Sequence, residues 1–183
     1  MSRTRHKLAE AQFFLKKIDE HYYDDIPEAF GKMDQPPVIS FFLSAFVSSA
    51  RSVTWIMRSE YGSTPGWNEW FASKHPDEGE LDLLQTFNEL RIRTQKIRPL
   101  VPAISAHVGE AQADQNPRMP RIKVSITPVS ENPDEPIIFN GQITQVSWTL
   151  ENRDGAELSA KCHEYLSRLT VLVSECEGVF GSE

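Results

Sequence analysis

The sequence predicts a mainly α fold: a four- to five-helix up-down bundle with a small antiparallel β meander inserted before the last helix. Three observations carry that expectation. Apolar residues recur at helical spacing in long stretches on either side of the middle of the chain. Between about 121 and 151 the period changes to two. One stretch, Pro37 to Gly62, reads as a long, mostly buried helix with a charge, Arg51, in its middle. The 183 residues suffice for one domain, with about 121–151 as the insertion and about 99–120 as a connector.

The first helix is expected over 3–20, where Leu8, Ala11, Phe14, Leu15 and Ile18 form a stripe. The prolines and aspartates that follow, through Pro37, read as a loop. The second helix has one face in Phe42, Phe46, Ser49, Val53 and Ile56. Ser40, Ser44, Ser48 and Ser52 recur every fourth residue, a stripe of small side chains against which a neighbour packs closely. Gly62 ends this helix. Thr64 and Pro65 then suit the cap and first position of a short aromatic turn. Its Trp67 and Trp70 read as a core lid in preference to a base-stacking platform.

Asp77 and Glu80 form a capping box for the next helix, with Leu81, Leu84, Phe87 and Leu90 inward and Pro99 as its stop. Ile122, Val124 and Ile126 alternate with polar residues, as in a half-buried strand. Asn140–Gly141 is a hairpin signal between two further strands. A second capping box, Asp154 and Glu157, opens the last helix. Its stripe runs through Leu158, Cys162, Tyr165, Leu166, Leu169, Leu172, Val173 and Cys176.

Composition narrows the function. At 39% hydrophobic and 25% charged the chain reads as soluble, and a cytoplasmic location is expected. No signal peptide pattern is visible. Arg51 and five serines argue against Val38 to Met57 as a membrane span, so no membrane association is expected. The two cysteines lie about 21 Å apart along one helix and read as reduced core residues. A net charge of −7 argues against extensive, sequence-independent DNA wrapping but leaves room for a local basic patch. No cofactor and no metal are expected: H-E-x-x-H, paired C-x-x-C, glycine-rich phosphate loops and G-x-S-x-G are absent. His21 with Asp24 and Asp25 reads as solvated surface, and His163 lies between stripe positions.

Arg51 is the exception to this plain picture. An arginine deep in an apolar helix needs a partner or a ligand. The segment Asn88 to Arg98 offers both. Four basic residues at a helix C-terminus complement the helix dipole, which alone accounts for much of the pattern. Arg91 follows Leu90 near the buried face, and beside Arg51 it would make a phosphate-sized pocket. Paired instead with Glu89, Arg51 would be a satisfied structural ion pair. The candidate anion-binding set is therefore Arg51, Arg91, Arg93 and Lys96, supported by Asn88 and Glu89.

The second helix, FFLSAFVSSARSVTWIMRSEYG, the aromatic turn and a helix ending ELR-x-x-x-x-K together resemble the HEPN family over residues 3–98 and, by its stripe, the last helix. The resemblance implies a small helical bundle, homodimers and a defence or toxin–antitoxin setting. It also implies, for many members, metal-independent RNase activity from an arginine and a histidine with four to six other residues between them. Arg91 matches that arginine, but Lys96 stands at the histidine position. Lysine stays protonated at neutral pH unless desolvated, so it is a poor general base. The expected function is a non-catalytic HEPN-like domain binding RNA, nucleotide or a protein partner. The alternatives are an RNase with Arg91 and Lys96 as its catalytic pair, and an assembly protein that recruits a partner through the edge of its β meander.

Overall fold

The computed structural model describes residues 1–24, 36–74, 76–96, 102–109, 123–126, 139–149 and 157–181. At 80, 94–96, 103–109, 123–126 and 139–146 the description is of backbone only. The fold is mainly α. In chain order its elements are α1 (Arg3–Glu20), α2 (Val38–Tyr61), α3 (Trp67–Ala72), α4 (Glu78–Lys96), β1 (Ala103–Gly109), β2 (Lys123–Ile126), β3 (Phe139–Thr149) and α5 (Leu158–Phe180). They fall into two compact units. One comprises Met1–Tyr22, Gln35–Val101 and Ser159–Glu183; the other comprises Tyr23–Asp34 and Pro102–Leu158. Asp25 and the rest of the 25–35 loop, the Arg98–Pro99 helix stop, positions 110–120 of the connector and the Asp154 cap lie outside the described residues.

In the helical unit, α1 starts on Ser2, whose Oγ accepts the Arg5 amide at 3.0 Å. This satisfies one of the orphan donors of the first turn. Thr4, Leu8, Ala11, Leu15 and Ile18 are buried, and that stripe packs along α2. In α2 the buried face is centred on Leu43, Phe46, Ala50, Val53 and Met57; the anticipated Phe42 and Ile56 are only half-buried at its edges. The core continues through Phe87, whose ring meets Phe46 edge-on at 5.9 Å and stacks on Tyr165 at 4.2 Å. Fully burying each such side chain contributes roughly 1.5–3 kcal/mol.

The serine stripe of α2 is not one packing face. A four-residue repeat drifts by about 40° per step on a 3.6-residue helix, and accordingly Ser40 is buried while Ser48 is exposed. Ser40, Ser44 and Ser52 each donate to a backbone carbonyl three or four residues earlier, at 2.7–2.8 Å. Those bonds satisfy the hydroxyls within the helix itself.

The short helix α3 begins later than Thr64 and Pro65 suggested. Its cap is Gly66 at φ 84°, a left-handed conformation that glycine adopts without a Cβ penalty. Trp67 is 2% exposed and stacks on Phe71 at 5.4 Å, as a core lid does. Trp70 is half-buried, with Lys74 Nζ 5.4 Å from its ring centroid. In α4 the inward residues are Leu83, Thr86, Phe87 and Leu90. Leu84 is half-buried, and Leu81 is 53% exposed, against the inward position expected for it. The last stripe, on α5, buries Leu158, Cys162, Tyr165, Leu166, Leu169, Val173 and Cys176, with Leu172 half-buried. Both cysteines are buried.

The second unit contains an antiparallel three-stranded sheet of order β1-β3-β2. It differs from the expected meander in two ways. β1 arises within the stretch taken for a connector, where Ile104, Ala106 and Val108 alternate with other residues too weakly to stand out. And Asn140–Gly141 lies inside β3, opposite Ser125 and Val124, instead of turning a hairpin. β3 pairs with β2 over 139–142, and those ladder bonds hold Asn140 and Gly141 extended where an isolated Asn-Gly would turn. A register shift between His107 and Val108 marks a bulge in the β1–β3 ladder. Trp148, near the end of β3, is buried.

Candidate functional site

Arg51 sits mid-way along α2, half-buried, and reaches toward α4 and α5. Its Nη2 donates to Asn88 Oδ1 at 3.4 Å, and its Nη1 donates to the Tyr165 hydroxyl at 3.5 Å. Both distances are well beyond the ~2.9–3.0 Å of a strong N–H···O bond. Its Nε is buried with no hydrogen-bond partner. Among the described residues no carboxylate pairs with Arg51. The packing explains why the side chain stays in place: Phe87, one residue before Asn88, stacks on Tyr165, which fixes the two groups that Arg51 touches. Burial raises the Tyr165 pKa despite the opposing charge and hydrogen bond of Arg51, so the phenol is neutral at physiological pH.

The remaining predicted residues divide. Asn88 faces Arg51. Glu89, one position on, is exposed and accepts from Gln85 Nε2 at 3.0 Å, so the Arg51–Glu89 ion pair is not formed. Arg91 and Arg93 are half-buried on the last turns of α4. The backbone of α4 runs through Lys96, and its side chain lies outside the description. Arg91 and Lys96 are five residues apart on one continuous helix, about 140° around its axis.

A second polar cluster gave no signal in the sequence. Glu60, at the end of α2, accepts from the Arg3 amide at 3.0 Å, the Thr4 amide at 2.8 Å and the Thr4 hydroxyl at 2.7 Å. Beside it, Glu177 of α5 accepts from Ser2 Oγ at 2.6 Å and pairs with Arg5. Two carboxylates thus meet the positive N-terminal end of α1. Burial works against the ionised Glu60, but the Thr4 hydroxyl and the two amides outweigh it and hold its pKa below the usual value. The Arg5 hydrogen bond does the same for Glu177. Only the Ser2-to-Arg5 cap is local; the other contacts join residues 56 to 175 positions apart.

At the far end of α1, Asp19 accepts from Ser159 Oγ at 2.8 Å and pairs with His163 Nε2 at 2.9 Å. The carboxylate lies between the serine and the histidine, and the trio fastens α1 to α5. Among the described residues no group of three His, Cys, Asp or Glu side chains converges on a metal site. The helix Val38–Tyr61 is long and apolar enough to cross a membrane by length and composition; here its apolar face is part of the core. Burial raises the Cys176 pKa to about 11, with Glu177 and Glu60 adding to it, so the thiol is unreactive at neutral pH. No family model, curated protein or solved structure matches the chain.

Proposed function

We propose that this protein is a non-catalytic, HEPN-like helical domain that binds RNA or nucleotide through its phosphate groups, with Arg51 at the centre of the site. The observation that carries this reading is the incomplete pairing of Arg51: two long contacts, a buried unpartnered Nε and no carboxylate partner among the described residues. A buried donor left without a partner costs about 1–3 kcal/mol. A phosphate oxygen would remove that cost, and guanidinium forks suit phosphate geometry. Asn88 and Tyr165 hold the guanidinium, while Arg91, Arg93 and Lys96 of α4 supply further positive charge. The non-catalytic part rests on the lysine at the histidine position.

Incubation of the purified protein with mixed RNA, with and without EDTA, beside an Arg91→Ala variant tests the reading. The expected result is retention of RNA or nucleotide on a filter without cleavage. Cleavage that persists in EDTA and disappears in Arg91→Ala would establish the RNase alternative. Neither cleavage nor retention would favour an assembly role.

A further inference from the structure

The outer side of α2 carries a tryptophan between two arginines. Of the four tryptophans in the chain, Trp67 and Trp148 are buried and Trp70 is half-buried, whereas Trp55 is 63% exposed. Arg51 lies four residues before it and Arg58, which is exposed, three residues after it. Those spacings put the three side chains within about 60° of one another around the helix axis, each arginine one turn from the indole. Among the described residues no ring stacks on Trp55, and no carboxylate pairs with either arginine. The one carboxylate of α2, Glu60, is turned to the Arg3 and Thr4 amides of α1. On the preceding turns the neighbours of Trp55 are Ser48 and Ser52, small enough to leave the ring face open. In a chain of net charge −7 this face is therefore locally positive.

We infer that this face of α2 is a platform for single-stranded RNA, with one base stacked on Trp55 and the flanking phosphates held by Arg51 and Arg58. The inference rests on the proposed reading of Arg51 as a phosphate-binding group and adds to it what selects the ligand. An accessible indole flanked by cations suits a single strand of any sequence, because every base offers a π face and every linkage a phosphate. A duplex keeps its bases stacked on one another, so it offers phosphates to the arginines but nothing to Trp55. Arg51 and Arg58 stand about 10.5 Å apart along the axis, which suits a strand running along the helix.

Fluorescence anisotropy of the full chain with a fluorescein-labelled 10-nucleotide RNA, single-stranded and annealed to its complement, tests it. The single strand is expected to bind more tightly than the duplex. Trp55→Ala is expected to weaken the single strand at least about tenfold, while Trp55→Phe, which keeps a stacking face, loses less. Arg58→Met is expected to lower the slope of log affinity against log salt by about 0.7, the share of one phosphate contact on a single strand, and Trp55→Ala to leave that slope unchanged. Both positions are exposed, so the variants are expected to fold, as circular dichroism checks. Wild-type affinity in Trp55→Ala, an unchanged salt slope in Arg58→Met, or equal binding of the duplex would each overturn the inference. If RNA binding is lost in Arg51→Met but intact in Trp55→Ala, the platform fails and the phosphate-binding reading of Arg51 stands; no RNA binding by the wild type overturns the platform along with RNA as the ligand of Arg51.

Discussion

The two polar clusters of the helical unit face the same physical problem and meet it differently. At the N-terminus of α1, Glu60 receives three hydrogen bonds of 2.7–3.0 Å, and Glu177 has both a hydroxyl and a guanidinium. Mid-way along α2, Arg51 has two contacts at 3.4–3.5 Å and an unpartnered Nε. The first cluster is complete without a ligand and therefore explains itself as structure. The second is incomplete, and that incompleteness is what motivates the proposed role in binding. A charge's sequence context does not separate these cases; the count and length of its bonds do.

The largest effect expected from this contrast is at Glu60. Glu60→Ala removes the acceptor of two amides and of the buried Thr4 hydroxyl. It should lower unfolding free energy by about 1.5–3 kcal/mol in urea denaturation, the range for hydrogen bonds to a charged group. Next comes acid. The folded-state pKa values of Glu60 and Glu177 are depressed from 4.5, so their stabilisation is present above that pH and lost as pH falls below it through the depressed values. The urea midpoint of the wild type should therefore drop on acidification in that window, and a Glu60→Gln, Glu177→Gln variant should show a shallower drop.

Smaller again is Tyr165→Phe. It removes one long contact to Arg51 but keeps the ring stacked on Phe87, so a stability change below about 1 kcal/mol is expected. A loss as large as that of Glu60→Ala would mean that the Arg51 cluster is as structural as the α1 terminus, and the contrast would fail.

Much of this was legible in the chain. The stripes of α1 and α5 gave their buried faces almost residue by residue, because an apolar residue every three or four positions has one way to be buried. Arg51 stood out as the charge in the middle of the long apolar helix. Leu81 misled because the first turn of a helix often extends past the layer it packs on. Asn140–Gly141 misled because a local turn preference gave way to pairing with β2. Glu60 and Glu177 were invisible as a site: each is an ordinary surface-type residue until folding brings it to the first turn of α1. Asn88 was read as a support for Arg51 together with Glu89, and the single-residue helical rotation between them puts only Asn88 in contact.

The most direct test of the central claim is Arg51→Met, measured for both stability and binding of a fluorescein-labelled single-stranded RNA and of ATP. The prediction is a loss of at least about tenfold in affinity for whichever ligand binds, equivalent to about 1.4 kcal/mol, with unfolding free energy unchanged or raised within about 1 kcal/mol, because an unsatisfied buried donor is removed. Unchanged affinity, or a fall in stability of the size expected for Glu60→Ala, would contradict it.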